Sequence, residues 1–275
     1  MGFSEKRRTT CFCLLQWKPD VAHITFMRTT SDAGKRRAAL IELLGSDRRV
    51  EAVAIDGPLG PSLCALTEYR SAEALLSQGA MQKRGKPGQT SSPTGQLLHR
   101  HASALAGLAL ELADVADATH TEAIHPKRLV EAFPNAFLAA MMDEGHFIDL
   151  ARNASDVFWR RLLESGALEA LFERLLPHRR AIPELRHVTD HEERAGIVCV
   201  LTALSVARSS FVSVGDPLCG DIILPPLAAW GAGPSGEPWL RSILDNAAAR
   251  VRALGRTRRG FREVRLHYCE NSFPT

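Results

Sequence analysis

Apolar positions along this chain recur with two periods, and the switches between them lay out the elements. Residues 11–17 and 21–28 are short apolar stretches separated by Lys18-Pro19-Asp20, the signature of a β-hairpin. From about residue 32 to 44 the apolar residues Ala38, Leu40, Ile41 and Leu44 follow helical spacing. The run Val50-Glu51-Ala52-Val53-Ala54-Ile55 then reads as a buried strand that ends on Asp56, because Gly57-Pro58 stops it. Helical patterns return at 68–80 and roughly 95–117, around a polar, Gly/Pro-rich loop at 81–95. A second buried strand, Arg128-Leu129-Val130-Glu131-Ala132-Phe133, is stopped by Pro134. Helices are expected at about 136–142, 155–176 and 190–208, then a hairpin near 210–224 and a last helix near 237–254. Helices interleaved with buried strands argue for an α/β architecture around a mixed sheet.

Composition narrows the class. Of 275 residues, 45% are apolar and 24% charged, the balance of a globular protein with a sizeable core. No apolar run approaches the length that spans a bilayer. Lys6-Arg7-Arg8 precede an apolar stretch that stops at Gln16, too short for a secretory signal and without a small-residue cleavage site. The six cysteines are scattered with no Cys-x-x-Cys pair, so buried thiols in a reducing cytoplasm are expected rather than disulfides or zinc ligands. A net charge of +3 does not by itself imply a nucleic-acid partner. Its distribution adds two basic clusters, one at Lys83, Arg84 and Lys86, the other running from Arg252 to Arg265. Such clusters can neutralise phosphates, although clusters of this size are commonly solvated faces.

Candidate chemistry rests on carboxylates. Asp56 stands at the carboxyl end of a strand, the edge where open α/β sheets bind ligands; the alternative is an Asp that caps the following turn. Glu131 is an acid inside an apolar strand, costly to bury unless it is paired or metal-bound. Lys127 or Arg128 would serve as its ion-pair partner. Asp190, Glu192 and Glu193 open an apolar helix. They suit its dipole, and Thr189 with Glu192 forms a capping box. Asp190 and Glu193 also share a helix face. Together with Asp56 and Glu131 they supply the hard oxygen ligands that Mg²⁺ or Mn²⁺ requires. The 83–95 loop lacks the P-loop spacing, His99 and His101 point in different directions on a helix, and no Gly-x-Ser-x-Gly elbow is present.

Several segments together resemble a known group. These are Ile55-Asp56-Gly57-Pro58-Leu59-Gly60, Tyr69-Arg70-Ser71-Ala72-Glu73, Val130-Glu131-Ala132-Phe133-Pro134, the acids at 190–193, and Val214-Gly215-Asp216-Pro217 leading to Gly220-Asp221-Ile222-Ile223-Leu224-Pro225. Their order is similar to that in the predicted nucleases of domain-of-unknown-function family 429, which have a ribonuclease H-like fold. The likeness spans most of residues 1–230. It implies a five-stranded mixed sheet flanked by helices, with acids at one sheet edge holding divalent metals for phosphodiester hydrolysis. Asp56 matches the acid of the central strand, Glu131 the strand Glu before Pro, and Asp190, Glu192 or Glu193 the acid of the late helix. The chain departs from the pattern at its first strand, where Ser4 stands in place of the expected Asp and Glu5 follows.

The expectation is therefore a cytoplasmic ribonuclease H-like α/β domain over 1–230, with a helical insertion at about 68–120. A basic helix and strand extension over 231–275 would pack on the same domain. Its expected function is metal-dependent cleavage of a nucleic acid, DNA or RNA, with homo-oligomers open. Asp56, Glu131, Asp190 and Glu193 would be catalytic and ligate Mg²⁺ or Mn²⁺. Arg70, Lys83, Arg84 and Lys86 would face the phosphates. Two alternatives keep the fold: a non-catalytic nucleic-acid-binding module, favoured by the missing first acid, and an actin-like phosphotransferase that uses the Gly/Ser loop for phosphate.

Overall fold

A computed structural model describes residues 1–4, 9–119, 126–148, 154–254 and 263–270, with the side chains of residues 2–4, 62, 83, 84, 148, 154 and 254 outside that description. The strands are β1 (Gly2–Ser4), β2 (Thr9–Trp17), β3 (Val21–Thr30), β4 (Arg49–Val50), β5 (Val53–Asp56), β6 (Asp114–Val115), β7 (Leu129–Ala132), β8 (Arg180–Ile182), β9 (Ser210–Asp216), β10 (Gly220–Leu224) and β11 (Arg265–Glu270). The α-helices are α1 (Ala33–Leu44), α2 (Ser71–Leu75), α3 (Met81–Arg84), α4 (Pro93–Leu112), α5 (Pro134–Met141), α6 (Glu144–Ile148), α7 (Ala154–Glu164), α8 (Ala167–Leu175), α9 (His191–Ala207) and α10 (Trp239–Leu254).

Nine of the strands form one mixed sheet in the order β11-β9-β10-β7-β5-β1-β2-β3-β8, and β4 with β6 makes a small second one. The hairpin β2–β3 is antiparallel and joins β1 antiparallel. From β1 through β5 and β7 to β10 the strands run parallel, and β9 and β11 then return antiparallel. An α/β protein with a mixed sheet flanked by helices matches the architecture expected from the residue pattern. The sheet is wider than the five strands implied by the resemblance. Its extra width comes from β8 at one edge and from β10, β9 and β11 at the other.

Side-chain alternation divides the core. Phe12, Val53, Ile55 and Leu129 point to the face covered by α1 and α4, with Leu40, Leu105 and Ala109 against them. Ala54, Val130 and Ala132 point to the opposite face, where α9 packs with Cys199. The strands β9 and β10 are buried along their whole length, as strands covered on both faces should be. A larger apolar cluster unites α5, α7, α8, α9 and α10 around Phe137, Phe158 and Trp159. The described part of the C-terminal extension packs on this cluster and sheet: Trp239, Leu240 and Leu244 of α10 are buried in the cluster, and β11 pairs along β9 from Arg265 to Glu270.

Two helical expectations are corrected. The segment 155–176 is two helices, because Gly166 takes a left-handed backbone (φ 73°) that starts α8 on a new axis. Residues 68–80 hold only the five-residue α2. All six cysteines are free thiols, and no described helix is long and apolar enough to cross a membrane.

Candidate functional site at the carboxyl edge of the sheet

The strand β5 ends on Asp56 for a steric reason. Gly57 takes φ 151°, and a Cβ there would stand 2.9 Å from the Ala102 Cβ of α4, so only glycine lets the chain turn over that helix. Alternation along β5 turns Asp56 to the same face as Ala54, toward the start of α9. Its carboxylate lines a small cavity of about 150 Å³ that also contains Asn135, Ser155, Asp156, His191 and Arg194. No described group donates a hydrogen bond to that carboxylate. Burial pushes it up to about 6, with Glu131 adding to the rise and the Met1 amino group and His191 opposing it. Across the cavity, Asp156 accepts from Arg194 at 3.0 Å and lies 3.1 Å from the His191 Nδ1. A carboxylic acid that titrates near neutrality, facing an imidazole, can exchange a proton with a bound molecule.

Glu131 has a different environment. It is one residue out of phase with Asp56, since β5 pairs with β7 so that Asp56 lies opposite Ala132 and Ile55 opposite Glu131. The two acids sit on neighbouring strands and point to opposite faces of the sheet. Arg70 clamps Glu131 with both guanidinium amino groups, Nη1 to Oε2 and Nη2 to Oε1, each at 2.7 Å. The Leu59 amide donates to Oε2 at 2.8 Å. On its other side Arg70 donates from Nε to Glu73 at 2.9 Å, and Thr90 holds the same Glu73 oxygen through its amide and its hydroxyl. Burial alone would lower the Arg70 pKa, but attraction and hydrogen bonding from Glu131, then Glu73, more than offset it and hold the guanidinium above its ordinary value. Arg70 is 1% exposed. The partner of Glu131 is thus Arg70, not Lys127 or Arg128, which pair with Asp117 and Glu51.

The acids at 190–193 serve the helix first. Asp190 caps α9 by accepting from the Glu192 and Glu193 amides at 2.8 and 3.1 Å. Arg28 of β3 pairs with Asp190 and lies 3.8 Å from Glu193. Glu192 accepts the Thr9 hydroxyl at 2.8 Å, so the predicted Thr189–Glu192 capping box gives way to an Asp190 cap with a tertiary bond. Of the expected phosphate-facing cations, Arg70 is sealed in the core and Lys86 is exposed. Lys83 and Arg84 belong to α3, and their side chains lie outside the described residues, as do Ser4 and Glu5. Arg28, Asp156 and Arg194 escaped sequence reasoning. Each is an ordinary surface-type charge, brought to the edge only by folding.

As placed, these carboxylates do not fit a shared Mg²⁺ or Mn²⁺ ion. Such ions need several oxygen ligands converging on one point. Here Asp56 and Glu131 face apart, both Glu131 oxygens carry a guanidinium, and Asp190 holds amides and Arg28. Among the described residues, no group of three or more His, Cys, Asp or Glu is placed to hold a metal. No family model, curated protein or solved structure matches this chain.

Proposed function

We propose that the chain is a ribonuclease H-like domain that binds the phosphodiester backbone of a nucleic acid without assembling a metal-dependent cleavage site. The carrying observation is the bidentate Arg70–Glu131 pair. An arginine provides there the positive charge that a metal ion would otherwise bring. Support for the fold comes from the mixed sheet flanked by helices and from Asp56 at its carboxyl edge. Support for an anionic ligand comes from exposed Lys86 and from Arg28 and Arg194 at that edge, two arginines that a phosphate would draw from their pairs with Asp190 and Asp156. Phosphate contacts from arginines position a backbone without reading its sequence.

In fluorescence anisotropy, short single- and double-stranded DNA and RNA should bind with affinity that falls steeply as salt rises. Arg28→Ala with Arg194→Ala should flatten that salt dependence. Binding indifferent to salt, or none at all, would refute the reading. A second reading, the metal-dependent nuclease, is favoured by one observation: the Asp56 carboxylate accepts no hydrogen bond from the described residues and lines a cavity. Cleavage that needs Mg²⁺ or Mn²⁺ and disappears in Asp56→Asn would establish it.

A further inference from the structure

The centre of the sheet contains a slot shaped like a strand. β1 lies between β2 and β5 but pairs only with Thr9, Thr10 and Cys11 of the one and with Asp56 of the other. Met1 extends the ladder by one step: its nitrogen donates to the Ala54 carbonyl at 2.9 Å, and its carbonyl accepts from the Asp56 amide at 2.7 Å. Beyond that step, residues 13–17 of β2 stay paired with β3 on one side and face a cavity of about 670 Å³ on the other. Val53 and Ala54 of β5 form the opposite wall. Leu40 and Ala109 close one face, and Ala203 and Leu204 of α9 close the other.

Burial records the same gap. Phe12 is fully buried, whereas Cys13, Leu14 and Leu15 are only partly so and Trp17 is 38% exposed. A strand this central, between helices on both faces, should be buried throughout, as β9 and β10 are.

We propose that this slot seats an extended polypeptide segment leading directly into Met1, which lengthens β1 to the height of its neighbours. The register dictates its course, parallel to β5 and antiparallel to β2. Its length follows from residues 13–17, which leave five positions, or about 17 Å at the usual rise per residue. Helices on both faces require apolar side chains at both parities. The strand's backbone would satisfy amides and carbonyls of β2 and β5 that an apolar small molecule leaves unpaired. The inference is independent of what the carboxyl edge binds.

The test compares the chain with two versions extended ahead of Met1, one by the apolar pentapeptide Val-Ile-Ala-Val-Val and one by Gly-Ser-Gly-Ser-Gly. The apolar extension should raise Tm by several degrees and protect amides among residues 13–17 from hydrogen exchange by about two orders of magnitude. The Gly-Ser version should do much less of either. Equal Tm and equal exchange in the two extended proteins would overturn the proposal. So would saturable binding of the free pentapeptide by the unextended chain without any effect of the fused one, because the strand would then come from another molecule.

Discussion

Asp56 and Glu131 show how two acids on neighbouring strands acquire unrelated roles. Asp56 is the less comfortable of the two. Its pKa of about 6 in the fold lies above the ordinary 3.8. Below about pH 4 the acid is neutral in both folded and unfolded chains. As pH rises through 6 the folded protein must ionise a partly buried carboxylate, and stability is lost. The loss is at most about 3 kcal/mol. Asp56→Asn should therefore match the parent protein at pH 4 and melt higher at pH 8; the same Tm difference at both values would contradict the shift. Glu131 belongs to a buried pair, and breaking such a pair costs about 3–5 kcal/mol. Arg70→Met should lower the urea midpoint sharply, and adding Glu131→Gln should recover part of it. Strictly additive losses would disprove the coupling. Sequence made both acids legible, since each ends or interrupts an apolar run. The pairing of Glu131 with Arg70, expected instead to face phosphates, was not, because the two stand 61 residues apart and nothing local ties them together.

Among the elements, the hairpin β2–β3, the strands around Asp56 and Glu131, and the helices α1, α4 and α9 follow from local periodicity and punctuation. The errors are local. Gly166 ends a helix that its flanking apolar residues would have continued, and α2 runs only over Ser71–Leu75. The strand β8 has only three residues, too few to show a period. The start of α9 offers a clean test of capping against ligation. Asp190→Ala should cost about 1 kcal/mol, read from thermal or urea melts, whereas Asp190→Asn keeps the cap and loses only the ion pair with Arg28. If Asn proves as damaging as Ala, the carboxylate charge matters more than the cap.

The whole molecule carries the part that sequence could not. Sheet order depends on pairings far apart in the chain, such as β1 with β5 and β9 with β11, and so does the facing of each strand end. Four acids in a suggestive order along the chain are divided by register and by arginines in the fold. Asp56 looks toward α9, Glu131 is locked to Arg70, and Asp190 and Glu193 meet Arg28. In the proposed reading, the charge that a metal ion would supply at such an edge comes from Arg70. Calorimetric titration of MnCl₂ into the purified protein at pH 7.5 addresses that claim most directly. The account predicts no saturable heat, with Asp56→Asn indistinguishable from the parent protein. A saturable binding curve that disappears in Asp56→Asn would contradict it.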